Sequence, residues 1–382
     1  MAYQNIGTPR FYINDISYAK SIGIDITDIP MPPDTHFSPT NFQDYDKLFD
    51  DDPTNTVFFT PESVSEFWVY AKTFKRPNNE PNYVAYLNHN IKESGIHIRH
   101  TNRKIPDIEG GSTWNDGTGM PEDGIIVNGG KRILDIWEGI DAQGGFLSPE
   151  YNGFTICEIG GTIDGINNDI HNFQFYMDMN EFDENNLKEF RMGCIFVGRY
   201  YDMPVNPDLD LSMDIEFDGY DNTRTLNGST LTNTRYMGSP WWFDTDGNKK
   251  EPWAVGDSTG LTKRNGRRVW NLSFSYMSDK DLFASNYGNN TYMEADTDYD
   301  NNDLTTDNNG NNVFQYTIDN DDSFSAQVLN KVSHGQKFIF QPDNTNNNPD
   351  QFAICVLDQD SLDIKRVAPR TYNIKMKIKE VW

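Results

Sequence analysis

The chain has 382 residues, 36% of them apolar, 13% aromatic and 24% charged, and its formal net charge is −26. That length and apolar content suffice for two ordinary domains with cores of their own and exclude a chain disordered throughout. So negative a surface repels phosphate backbones, which argues against a nucleic-acid partner, and with no run of 18 uninterrupted apolar residues no membrane-spanning helix is expected.

Residues 1–55 begin MAYQNIGTPRFYINDISYAK, without the basic start and apolar stretch of a secretory leader. The Pro- and Asp-rich run DIPMPPDTHFSPTNFQDYDKLFDDDP that follows has little periodicity. This region reads as an extended arm, stable only against something else, with Phe37, Phe42 and Tyr45 as anchors. TPESVSEFWVYAK (60–72) predicts a short helix, capped by Thr60 ahead of Pro61 and Glu62.

Period two then dominates. NYVAYLN (82–88), IHIRH (96–100), GIIVNG (124–129), FQFYMDM (173–179) and GCIFVGRYY (193–201) read as strands of a first sandwich over 56–204. In LDLSMDIEFDGY (209–220), Leu209, Leu211, Met213, Ile215 and Phe217 alternate with acids and Ser212, predicting a half-buried strand with an acidic outer face. Trp270, Leu272, Phe274 and Tyr276 alternate in the same way in WNLSFSY. DSFSAQVLNKVS (322–333) predicts a second short helix. Clusters of Gly, Asn, Asp and Pro separate these segments and turn the chain. The fold class is therefore all-β: antiparallel sandwich or jelly-roll domains with one or two short helices, the second domain spanning 205–382 with a polar insertion at about 288–312.

The final strand, YNIKMKIKEVW (372–382), sets Ile374, Met376 and Ile378 on one face and Lys375, Lys377 and Lys379 on the other. From Ser361 onward six Lys or Arg against two acids give +4, leaving −30 for the rest of the chain. Two readings fit. The lysines meet the acidic face of LDLSMDIEFDGY on a neighbouring subunit, or they offset acids of their own sheet.

Residue patterns that carry chemistry are weak. GDSTG (256–260) has the G-x-S-x-G spacing around Ser258, but Pro252 and Trp253 precede it and a Gly-broken basic stretch follows, which reads as a surface loop. His97 and His100 fall on opposite faces of a strand, His36, His171 and His334 stand apart, and no carboxylate pair is singled out by spacing. No catalytic residues are expected, and the chain reads as not an enzyme. Asp296, Asp298 and Asp300 place oxygens at every second residue, as a structural Ca2+ would need, although Asn301 stands where a calcium loop has glycine; no other cofactor is expected. Trp241 and Trp242 would point to opposite faces of a strand, and either of them or Trp114 could stack on a sugar. Cys157, Cys194 and Cys355 sit in apolar runs as small hydrophobes and predict no disulfide.

Five stretches carry a resemblance to tailed-bacteriophage virion proteins. NYVAYLNHNI (82–91) and CIFVGRYYDMP (194–204) resemble strands of the galactose-binding-like jelly-roll module of phage tail components. GRRVWNLSFSYMSDKDLF (266–283), GQKFIFQPD (335–343) and the ending YNIKMKIKEVW are similar, in that order, to the C-terminal half of such proteins. The long arm and the 288–312 insertion are not part of that pattern. The resemblance implies a non-enzymatic structural subunit of the distal-tail or baseplate kind, located in the virion after assembly in the host cytoplasm. Its partners would be copies of itself in a ring and other tail or neck proteins. The alternative is a carbohydrate-binding host-recognition protein of the tail, with a host surface glycan as ligand.

Overall fold

The computed structural model describes residues 7–26, 44–59, 66–73, 81–101, 132–134, 152–158, 170–177, 189–209, 212–217, 220–234, 238–243, 249–254, 266–283, 322–333 and 335–382. Strand β1 (Arg10–Ile13), helix α1 (Asp15–Ser21) and a 3-10 turn at Tyr45–Phe49 come first. They are followed by β2 (Val57–Phe59), β3 (Glu66–Lys72), β4 (Tyr83–His89), α2 (Ile91–Ser94), β5 (Ile96–Thr101), β6 (Arg132–Leu134) and β7 (Gly153–Glu158). Next are β8 (Ile170–Met177), β9 (Phe190–Met192), β10 (Cys194–Gly198), β11 (Tyr200–Asp202), β12 (Ser212–Glu216), β13 (Tyr220–Arg224) and β14 (Thr230–Thr234). The chain continues through β15 (Trp242–Phe243), β16 (Lys249–Lys250), β17 (Arg267–Ser278), α3 (Asp279–Leu282) and α4 (Ser325–Leu329, continued by Asn330–Val332). It ends with β18 (Phe338–Gln341), β19 (Ala353–Leu357), β20 (Asp363–Ala368) and β21 (Thr371–Glu380).

The fold is all-β, and every pairing among the described residues is antiparallel. The largest sheet has eight strands in the order β11-β1-β18-β19-β21-β17-β12, with β20 paired to β21 off that path. A four-stranded sheet runs β10-β4-β7-β6, a three-stranded sheet runs β3-β8-β5, and β2–β9, β13–β14 and β15–β16 are two-stranded ribbons.

Side-chain alternation stacks these sheets. One face of the four-stranded sheet (Val84, Tyr86, Ile195, Val197) packs with Ile98, Phe173 and Phe175 of the three-stranded sheet and with Ile16, Leu48 and Phe49. Its other face (Tyr83, Ala85, Leu87, Phe154, Phe196) meets Tyr12, Ile339 and Ile354 of the eight-stranded sheet, with the indoles of Trp242 and Trp253. The far face of the eight-stranded sheet carries Phe11, Phe340, Trp270, Leu272, Ile374 and Ile378 beneath Phe324, Val328 and Val332 of α4. Strands β4 and β10 are consequently buried at every position, which is why NYVAYLN and GCIFVG contain near-continuous apolar runs. Each fully buried Phe in these layers contributes roughly 1.5–3 kcal/mol of transfer free energy.

Several expectations need correction. Arg10–Ile13 is no arm: it pairs with β11 on one side and β18 on the other, and Asn14 caps α1 by accepting a hydrogen bond from the Ile16 amide. Boundaries at 55 and 204 therefore cut through one sheet, and Tyr12, Tyr83 and Ile339 share a single core. Close approach holds this junction, since any side chain at Gly198 would collide with the Ile13 carbonyl. In TPESVSEFWVYAK, Glu66–Lys72 is a strand; buried Val69 and Ala71 alternate across from β8, and this tertiary pairing overrides the helix-start signal. The helix predicted at 322–333 is present as α4, one of four short helices among the described residues, where one or two were expected. Tyr276 departs from the alternation of β17 because the register slips between Phe274 and Met277, leaving it at positive φ and exposed. GIIVNG, Thr60, Ser258 and the 288–312 insertion lie outside the described residues.

Candidate assembly surface

Strand β12 closes one margin of the eight-stranded sheet. It pairs with β17 in the register Met213↔Trp270 and Ile215↔Arg268, and no described strand flanks its other side. Alternation places Met213 and Ile215 on the same sheet face as the buried Trp270, with Ser212, Asp214 and Glu216 on the opposite face. The expected half-burial is absent: Met213 is 37% exposed, Ile215 50%, Phe217 66% and Leu209 fully exposed. The core beneath α4 ends one strand short of them. Gly266, at positive φ, leaves room for Ile215; a side chain there would strike its methyl group.

The lysine face lies on the other side of this sheet. Strand β21 is interior, between β17 on one side and β19 and β20 on the other, so the terminal strand is not the unpaired edge that the inter-subunit reading required. Lys379 Nζ lies 2.5 Å from Glu216 Oε2, while Lys377 Nζ lies 2.5 Å from Asp358 and 3.8 Å from Glu216. The hydrogen bond to Asp358, with the nearby Glu216 charge adding to it, raises Lys377 above its ordinary value. Asn271 Nδ2 donates to Asp214 at 3.0 Å. Lys377 and Lys379 thus offset acids of their own sheet, and only Lys375 is left exposed.

Among the described residues, strand β20 is a second open margin. It pairs with β21, is exposed at all six residues, and shows Ile364 (36%) and Val367 (41%) to solvent beside Lys365 and Arg366. After β12 comes the ribbon β13–β14, with Leu226 in its turn and Leu231 in β14 exposed. A two-stranded ribbon is marginal in water by itself, so this one gains from a covering surface.

The other candidates distribute differently. Tyr45 is partly buried against the core that contains Leu48 and Phe49, so it anchors within its own chain; Phe37 and Phe42 lie outside the described residues. Trp242 is buried, 5.4 Å from the Trp253 ring, and is thereby corrected from stacking platform to core residue, while Trp241 is half-buried. Trp114, Asp296, Asp298 and Asp300 lie outside the described residues, within which no group of three or more His, Cys, Asp or Glu could hold a metal ion. All three cysteines are buried, and none of them forms a disulfide.

Ionisable groups gather inside instead, where they tie layers together. Burial pushes the Asp51 carboxyl up to about 6 despite hydrogen bonds with Ser17 and the Asn14 amide (2.6 Å). Burial lowers His89 to about 3, keeping its ring neutral; Nε2 lies 3.0 Å from the Thr155 hydroxyl and Nδ1 accepts from the Ile91 amide. Lys331 of α4 meets Asp15 of α1 at 3.5 Å. Arg268 grips Glu380 through Nε and a second guanidinium nitrogen, and also donates to the Asp350 and Phe352 carbonyls. Sequence reasoning missed this hydrogen-bonded buried pair, because its members lie 112 residues apart.

Compared with protein-family models, curated proteins and solved structures, the chain matches none of them.

Proposed function

We propose that this chain is a non-enzymatic structural subunit that assembles through its sheet margins, in a ring at the tail tip or baseplate of a tailed-phage particle. The observation that carries the assembly reading is the apolar row of β12, Met213, Ile215 and Phe217, exposed beside a strand edge that no described strand pairs. Such an edge is an aggregation hazard unless another chain completes it. The buried Asp51 and Lys331 support the structural reading, because each bonds across packed elements, Asp51 to Asn14 and Lys331 to Asp15.

The phage setting rests on the five resembling stretches, which form β4, β10 with β11, β17 with α3, β18 and β21, the framework strands of both major sheets. Copies of the chain and adjoining tail or neck proteins are its partners on this reading. Of the three tryptophans named for sugar stacking, Trp242 is buried, Trp114 lies outside the described residues, and Trp241 is half-buried. Sedimentation of the full-length protein over a range of concentrations tests the proposal: a discrete oligomer supports it, and a monomer at every concentration counts against it.

A further inference from the structure

Among the described residues two strands with an open edge lie on opposite sides of the β21–β17 pair, β20 beyond β21 and β12 beyond β17, and we propose that they pair between copies: β20 of one chain against β12 of the next, extending the sheet head to tail. The inference rests on the assembly reading above and names its contact.

Chain direction permits this pairing. Strands β12, β17, β21 and β20 alternate in direction through three antiparallel pairings, so β20 runs opposite to β12. Two copies in the same orientation bring those strands together antiparallel, with every ladder bond available.

The faces also agree. Ile364 stands opposite buried Ile374, and Ile374 stands opposite Phe274, on the sheet face that Trp270, Met213 and Ile215 share. A strand pair that continues the sheet therefore sets Ile364 against the apolar row of β12 without turning either strand over. With Ile364 opposite Ile215, Lys365 falls opposite Asp214 on the other face and Arg366 lays its aliphatic stem along Met213. The same register brings Asp363 opposite Glu216. Both acids already have cations at hand, Asp363 being opposite Lys375 in its own sheet and Glu216 contacting Lys379.

Charge favours this unlike pairing over like pairings. Strand β20 and its turn carry Lys365, Arg366 and Arg370 against Asp363, whereas the charges of β12 are Asp214 and Glu216. Pairing β12 with itself at full overlap would put Asp214 opposite Asp214, and like charges directly across a ladder are destabilising. A contact that joins two different margins is heterologous; it closes into a ring where the rotation between copies allows, and otherwise propagates as a filament.

Cysteine pairing tests the contact in the full-length chain. Ile215→Cys and Ile364→Cys alter exposed positions, and the three native cysteines are buried. Residues directly opposed across a ladder have Cβ atoms about 4.5–5.5 Å apart, close to disulfide reach. Under mild oxidation, an equimolar mixture of the two single variants is expected to give a covalent dimer that neither gives alone, and the double variant a ladder of higher species. Cross-linking of Ile215→Cys by itself, which marks a symmetric β12 contact, overturns the proposal; so does the absence of any mixed dimer. If sedimentation still shows an oligomer in that last case, this contact is wrong and the assembly reading stands. A monomer throughout removes both.

Discussion

Strand β4 carries five apolar residues in seven and β12 two in five, both on one face; β4 is buried at all seven positions, whereas β12 is exposed at four of its five, its two apolar residues included. Periodicity decides which side chains share a face. Whether that face is covered depends on what the rest of the chain places over it. Sheets lie above and below β4, whereas β12 extends past α4 and past its last neighbour, β17. The lesson is that a strand reading needs a second question, about its cover, that the strand itself does not answer.

Three substitutions sharpen this contrast. The largest effect is expected from Phe196→Ala in the layer beside β4. A cavity there should cost about 3–5 kcal/mol of unfolding free energy in a denaturant titration. Next is Asp51→Asn. Because burial raises the Asp51 pKa from its ordinary 3.8 to about 6, folding favours the protonated acid. Its contribution is present below pH 3.8 and lost as pH rises through 6, so near pH 7.5 the ionised form costs about 3 kcal/mol at most. The amide variant should be more stable than the native chain at pH 7.5, and that advantage should disappear near pH 4. Asn is tolerated at the positive φ of this position. The smallest effect on stability is expected from Ile215→Ser. The dilute chain should change by less than about 0.5 kcal/mol, measured in the same titration, while self-association weakens.

Much of the framework was legible. Period two shows in the runs at 173–177, 270–274 and 372–380, and those at 82–88 and 193–201 stand out as near-continuous apolar runs; all of them fall in strands, 193–201 in the two strands β10 and β11. β1 was not legible, because its four residues RFYI lie in a polar region and are defined by partners almost 200 and more than 300 residues away. β3 was misread because Thr60, Pro61 and Glu62 imitate a helix start, while its burial is set by β8. At the surface, the acidic and apolar faces of β12 were visible in the sequence. Two facts were not: that α4 stops short of its apolar face, and that Lys379 reaches across β17 to Glu216. The candidate edge on β20 went unnoticed, since DIKRVA follows a loop and gains its strand character from β21.

Amide hydrogen exchange, compared between dilute and concentrated protein, addresses the central claim most directly. If the margins of the large sheet are completed by other copies, amides within Ser212–Glu216 and Asp363–Ala368 should become protected as concentration rises, while those of Tyr83–His89 remain equally slow in both samples. Unchanged exchange of both margins across the whole concentration range would contradict the account.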